Sequence, residues 1–248
     1  MNRKLLIGLN AVLVPAFIVL FVAITGIERD GAQQAARAEA LQTARLIMAS
    51  AIAVREYTVD QVKPMIETKY SFSPLTVASF AATQTLAKVR KQFPDYHYRE
   101  ATLNPTNPLD RAEDWEADIV RHFREKPTET EFVSQRVAIT GETMVVAQPM
   151  RIGNSACLDC HSTPDRAPRE MTAMYTSGGG YNWQLNEIVG AQIVTVPMAQ
   201  MQAGTGNTTI PAWGLGGGLA VIWALVNLGL VLMLRRSAKA AGGSAVQG

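Results

Sequence analysis

Cys157, Cys160 and His161 stand in the order Cys-x-x-Cys-His, with Leu158 and Asp159 between the cysteines. Two thiols three positions apart share one helical turn, so each can form a thioether to a vinyl group of the same haem. The histidine that follows is then placed to bind the iron from the proximal side. The chain has two cysteines, and this motif contains both. Other chemistries of the pair fit less well. A zinc site lacks the second Cys-x-x-Cys or His-x-x-x-His pair that would complete four ligands. A thioredoxin-like couple belongs at the strand-to-helix junction of a βαβ unit, and that pattern is missing here. A disulfide closing so small a loop adds little stability. The expected cofactor is one covalent haem c.

Thioether haem is attached outside the cytoplasm, so the elements that must carry the motif across a membrane come next. Residues 5–27 and 212–234 are two apolar runs of about 23 residues each, long enough for a hydrocarbon core of about 30 Å. Arg3 and Lys4 precede the first run, and Arg235, Arg236 and Lys239 follow the second. Basic residues at both outer ends predict two cytoplasmic termini. The expected organisation is a first transmembrane anchor (1–27), a periplasmic haem domain (28–211), a second transmembrane helix (212–234) and a short cytoplasmic tail (235–248), in a bacterial inner membrane. The first run is too long for a cleaved signal peptide, and no small-x-small cleavage site follows it before Glu28. Gly214 and Gly218 form a Gly-x-x-x-Gly step that would let a second membrane helix approach, in a homodimer or with a partner protein. The net charge of +2 and the absence of a basic cluster on the outer segment give no reason to expect nucleic acid.

Within the outer segment the pattern moves from helix to strand. Residues 27–57 contain no proline and read as a long helix entering a core near Met48 and Ile52. A short piece broken by Pro64 follows. Ser73-Pro74 is a capped start for a helix to about Gln92, ending before Phe93-Pro94. The stretch Asn104-Pro105-Thr106-Asn107-Pro108 predicts turns. Asp110 with Glu113 reads as a capping box for a helix to about Arg124, with Trp115 and Phe123 inward. Residues 130–139 and 143–152 predict a β-hairpin about Thr140-Gly141-Glu142. Ser177 to Gly180 reads as a flexible loop, and Glu187 to Pro197 as a third strand. The fold class is α+β, with helices and an antiparallel sheet.

Three stretches together resemble one family: Tyr96 to Glu116, the Cys-x-x-Cys-His with Ser162-Thr163-Pro164 after it, and Asn186 to Met198. They resemble the periplasmic c-haem sensor domains, over about residues 35–200. The resemblance implies a PAS-like antiparallel sheet with an N-terminal helical arm. It also implies a sensory role, since many members feed a kinase or cyclase module across the membrane and others stand alone. The tail after Arg236 is too short to be such a module, so signalling is expected to pass through a partner.

The sixth position on the iron decides the chemistry. Some members of the family take a cysteine from the arm, which this chain does not have to spare. Met48 lies in the corresponding arm and is the candidate ligand, although a core methionine ordinarily packs. His97 and His122 are the other histidines, and Met144 and Met150 share a strand phase near the motif. Arg55 and Arg151 are candidates to pair with haem propionates, because guanidinium matches a carboxylate; a solvated surface role is the alternative. The expected function is a haem-based redox or gas sensor, with CO or NO as the kind of ligand an open iron would take. A membrane-bound electron carrier, or a haem subunit of a larger complex, is the alternative. No nucleophile–base constellation is present, so an enzyme is not expected.

Overall fold

The computed structural model describes residues 3–67, 72–139, 141–175, 178–198 and 212–243. Thr140 of the hairpin turn, Ser177 of the glycine loop, Pro211 and the last residues of the tail lie outside them. The chain forms two units, residues 36–202 and the two terminal segments 1–35 and 203–248.

The terminal unit contains the first part of α1 (Arg3–Tyr57) and α6 (Ala212–Gly243). Two stretches are long and apolar enough to cross a membrane, Asn10–Ile66 and Gly216–Met233. The two helices are joined by a polar clasp: Asn10 Nδ2 donates to Asn227 Oδ1 at 2.8 Å and Trp223 Nε1 donates to Asn10 Oδ1 at 3.1 Å. In an apolar surrounding such amides seek each other, since lipid offers them nothing. Gly216 is where the helices close up, since a Cβ there would stand 3.2 Å from the Phe21 ring. Gly218 has nothing within 4 Å of that position.

The second unit is a four-stranded antiparallel sheet with a helix on each face. The strands are β1 (His97–Thr102), β2 (Phe132–Ala138), β3 (Gly141–Arg151) and β4 (Ile188–Pro197), in the order β1-β4-β3-β2. Alternation sends Met144, Val146, Val194 and Val196 to one face, where they meet Ala36, Ala40, Ala44 and Met48 of α1. These alanines recur every four residues, so one smooth helical stripe can lie close against the sheet. Val145, Ala147, Ala191 and Ile193 point the other way, onto Ile119, Val120 and Phe123 of α4 (Asp114–Glu125).

The hairpin and the strand over 188–197 follow the sequence pattern. β1 does not: the sequence pattern assigns its residues to no element, yet they form the sheet edge beside β4. Its run His-Tyr-Arg-Glu-Ala-Thr carries two charges, and only tertiary partners make it a strand. Three helix starts also differ. Ser73 caps Leu75 N, but the turn it starts ends at Thr76, and α3 (Ala78–Gln92) begins two residues later. Pro64 lies inside α2 (Lys63–Glu67), and the turn before it, Thr58–Val62, widens to π geometry. The wider turn accommodates a ring that would clash with the carbonyl four residues back. The capping box of α4 uses Glu113 as cap with Glu116, so Asp110 is not its cap. Phe123 is buried as expected, while Trp115 is half-buried with the Arg136 guanidinium over its ring at 4.0 Å.

Asp110 instead ends the turn Pro108–Asp110. Burial there pushes its carboxyl up to about 6, helped by the charge of Glu100 and opposed by Arg99 and Asn107. The folded state thus holds its proton more tightly than the unfolded chain, whose carboxyl has the ordinary value of 3.8. That contribution is complete below the unfolded value and is lost as pH rises through the folded one. Asp110→Asn is expected to match the parent in acid and to melt higher above pH 6. Thermal unfolding across that range checks it, and parallel curves would refute it.

Candidate functional site

The end of β3 hands the chain to the motif. Asn154 Oδ1 accepts Ala156 N at 2.9 Å and Asn154 O accepts Cys157 N at 3.1 Å, starting a tight turn over Ser155–Cys157. The turn runs on as α5 (Leu158–His161), so the motif occupies little more than one turn of helix. Cys157 and Cys160, at i and i+3, lie on the same side of it, and both are half-buried. Cys160 borders a small cluster of Ala167, Met171 and Tyr181.

His161 is held from three directions. Its Nδ1 lies 2.7 Å from Gly180 O. A carbonyl only accepts, so Nδ1 carries the proton and the Nε2 lone pair is left for a metal. The ring stacks on Trp183, centroids 4.0 Å apart and planes 17° apart. The loop also straps the motif's backbone: Asn182 N donates to Ser162 O at 2.8 Å and Trp183 N to His161 O at 3.2 Å. Those bonds satisfy carbonyls that a short helix leaves orphaned at its end. Burial lowers the pKa of the imidazole, with the Gly180 bond working against it. A neutral imidazole is the form a metal binds. Gly180 to Trp183 thus each have a defined partner in the fold. Gly178 and Gly180 hold φ of +69° and +82°, and a Cβ on Gly180 would strike Thr106 Oγ1 at 1.9 Å.

This donor set fits a c-type haem: two thiols on one turn, and next to them an imidazole with its proton fixed on the far nitrogen. The model of one family, Tll0287-like, matches residues 33–197. The chain belongs to the Tll0287-like family. Among solved structures, the cyanobacterial haem protein Tll0287 is similar in fold, with a TM-score of 0.52 and 15% identity over 64% of this chain and 95% of that one. No curated protein matches the chain.

In this Tll0287-like domain the other expected site residues are dispersed. Met48 is 1% exposed and belongs to the core cluster with Met144, Val146, Val194, Val196 and Met198. Its side chain packs among these residues on the sheet face. Met144 lies in that cluster too, and Met150 keeps its phase just before the irregularity at Met150/Arg151. Arg55 is taken by an internal partner: its Nη1 reaches both Glu100 oxygens, at 2.7 and 2.5 Å, and Glu100 is 1% exposed. Tyr98 also donates to Glu100, at 2.7 Å, and burial pushes its hydroxyl far up. Arg151 donates to Asn186 O at 2.9 Å and Pro127 O at 2.6 Å, so it ties two loops together. Both arginines thus have protein acceptors within reach. His97 lies on β1, opposite Thr195, with burial lowering its pKa. His122 lies on α4, 2.7 Å from Glu129 Oε2 and edge-on to Phe132.

Sequence reasoning missed Gly180, Trp183 and the Tyr98–Glu100–Arg55 cluster. The run Gly-Gly-Gly-Tyr-Asn-Trp carried one usable signal. A tryptophan beside several glycines suggests an aromatic that a tight backbone must position. Nothing in the sequence pointed from Arg55 to Glu100.

Proposed function

We propose that this chain is a membrane-anchored periplasmic haem protein that holds one haem c and serves as a redox or gas sensor acting through a membrane partner. The observation that carries the reading is the His161 ring with Nδ1–H bonded to Gly180 O, one residue beyond a pair of cysteines on the same turn. Haem bound there supplies one-electron chemistry and an iron able to take a diatomic gas. Cys157 and Cys160 anchor it, and His161 Nε2 binds its metal. The Trp183 face restricts rotation of the imidazole, and the Gly180 carbonyl raises the ring's basicity. The family membership and the sheet with its helical arm support a PAS-like sensor domain.

Half-burial of both cysteines favours a second reading as an electron carrier, because it leaves the thioether side close to solvent. Visible spectra of the purified protein, oxidised, reduced and with CO, separate the two. Rapid CO binding to ferrous protein supports sensing. A six-coordinate low-spin spectrum in both states, unchanged by CO, supports electron transfer.

The membrane arrangement has its own test. With residues 5–27 and 212–234 spanning the bilayer and basic residues at both outer ends, both termini are cytoplasmic. Alkaline phosphatase fused after Gly248 is expected to be inactive, and the same enzyme inserted near Glu28 active. The opposite pattern overturns this topology.

A further inference from the structure

The two Asn-Pro steps between β1 and α4 read as equivalent turn formers, but their side chains do different things. Asn107 is local, its Oδ1 accepting Leu109 N at 3.2 Å. Asn104 reaches across the fold. Its Oδ1 accepts Gly180 N at 3.2 Å, and its Nδ2 donates to Tyr181 O at 3.1 Å. The amide orientation is dictated by the partners, since an N–H only donates and a carbonyl only accepts. These two bonds grip the chain just before and just after the peptide plane that carries Gly180 O, the acceptor of His161 Nδ1 at 2.7 Å.

We propose that Asn104 is a positioning residue for the iron ligand: its amide clamps the Gly180–Tyr181 peptide and so fixes the carbonyl that orients and polarises the His161 ring. The proposal rests on the haem reading above. A single side chain offering both an acceptor and a donor is what this place requires, and a carboxylate or an aliphatic group supplies half of that or none. The backbone beneath Asn104 is rigid. Leu103 N continues the sheet ladder to Val189 O at 3.2 Å, and Glu100 on the same strand is locked to Arg55. The neighbours tighten the bracket: a Cβ on Gly179 would meet Pro105 O at 2.3 Å, and one on Gly180 would meet Thr106. Gly180 at φ +82° is a conformation glycine adopts without strain but does not hold by itself, and Asn104 is among the contacts that fix it.

Loss of the clamp lets the carbonyl drift and weakens its bond to Nδ1–H. The imidazole then donates less to the iron, the ferric state loses stabilisation, and the reduction potential rises. The test uses the full-length haem-loaded protein with Asn104→Leu and Asn104→Asp. The aspartate keeps the acceptor toward Gly180 N–H and loses the donor toward Tyr181 O. Haem stain on a denaturing gel reports attachment, which runs through the cysteines. The midpoint potential and the ferric EPR g-values report the histidine. Asn104→Leu is expected to keep covalent haem while the reduced-to-oxidised ratio at a fixed potential rises about tenfold, equivalent to about 59 mV for one electron. The g-values shift with it, and the aspartate variant falls between leucine and parent. If the leucine variant does not mature, the aspartate variant alone carries the test. Haem-loaded variants with the parent's potential and g-values overturn this inference alone. A parent without covalent haem overturns the haem reading and this inference with it.

Discussion

A Cys157→Ser, Cys160→Ser double variant is expected to lose haem on a denaturing gel, where the parent keeps it. The two thiols are the only cysteines in the chain, so nothing else can form a thioether. Each single variant should retain one link, with a visible spectrum displaced by the vinyl group left intact. His161→Ala belongs beside them, because it separates attachment from ligation. Haem should remain bound through the cysteines while its axial field changes, since the nitrogen turned away from Gly180 O is then missing. Haem that extracts freely from the parent into acidified acetone would sink the covalent reading outright. Loss of haem in the cysteine variants together with unfolding would leave a fold that depends on its cofactor. Circular dichroism of the cysteine variant decides that point, and retained secondary structure is the expected result, since the two main core clusters do not include the motif.

The second large effect lies away from the motif, at Arg55 and Glu100. Glu100 is almost wholly enclosed, and its charge is matched by one guanidinium and one hydroxyl. Replacing Arg55 by Met removes the countercharge and leaves a buried carboxylate with Tyr98 alone. Breaking such a pair from one side typically costs about 3–5 kcal/mol. Removing both charges, with Arg55→Met and Glu100→Met, should recover most of that loss, because an apolar pair of similar size has no charge to desolvate. Denaturant unfolding of the parent and these two variants checks this. A single variant within about 0.5 kcal/mol of the parent, in the range of an ordinary surface change, would show that water reaches Glu100 and that the pair is not structural. The position matters for more than stability: Glu100 sits on the strand that leads to Asn104, and Arg55 sits at the end of the arm helix. A loosened pair is expected to alter the haem environment as well, which a shift in midpoint potential would register.

Some of this protein was readable directly because it is written in local spacing. The Cys-x-x-Cys-His turn needs no distant residue to be recognised, and the structure forms it as one helical turn after an asparagine cap. The hairpin strands and β4 carry their own runs of β-branched and apolar residues. The arm carries its alanine stripe, and two runs of the chain carry enough apolar residues to cross a membrane. In each case the periodicity of the backbone turns sequence directly into a buried face.

What tertiary structure alone decided is the set of contacts between residues far apart in the chain, where a polar side chain gives no sign of its partner. β1 is a strand because β4 supplies its ladder, and the charge it buries at Glu100 is met by Arg55, forty-five positions earlier, and by Tyr98. Met48 was picked out by its place on the arm, and its packing against Met144, Val146, Val194 and Val196 comes only from the fold. Arg151 was picked out for its guanidinium, and only the fold shows that two loop carbonyls lie within its reach. The loop of glycines looked loose because glycine permits many conformations in an isolated chain. In the fold its freedom is what lets the backbone pass Thr106 and present one carbonyl to His161, under the hold of an asparagine 76 residues away. Local spacing names the groups that do the chemistry; their orientation comes from long-range hydrogen bonds that no local pattern encodes.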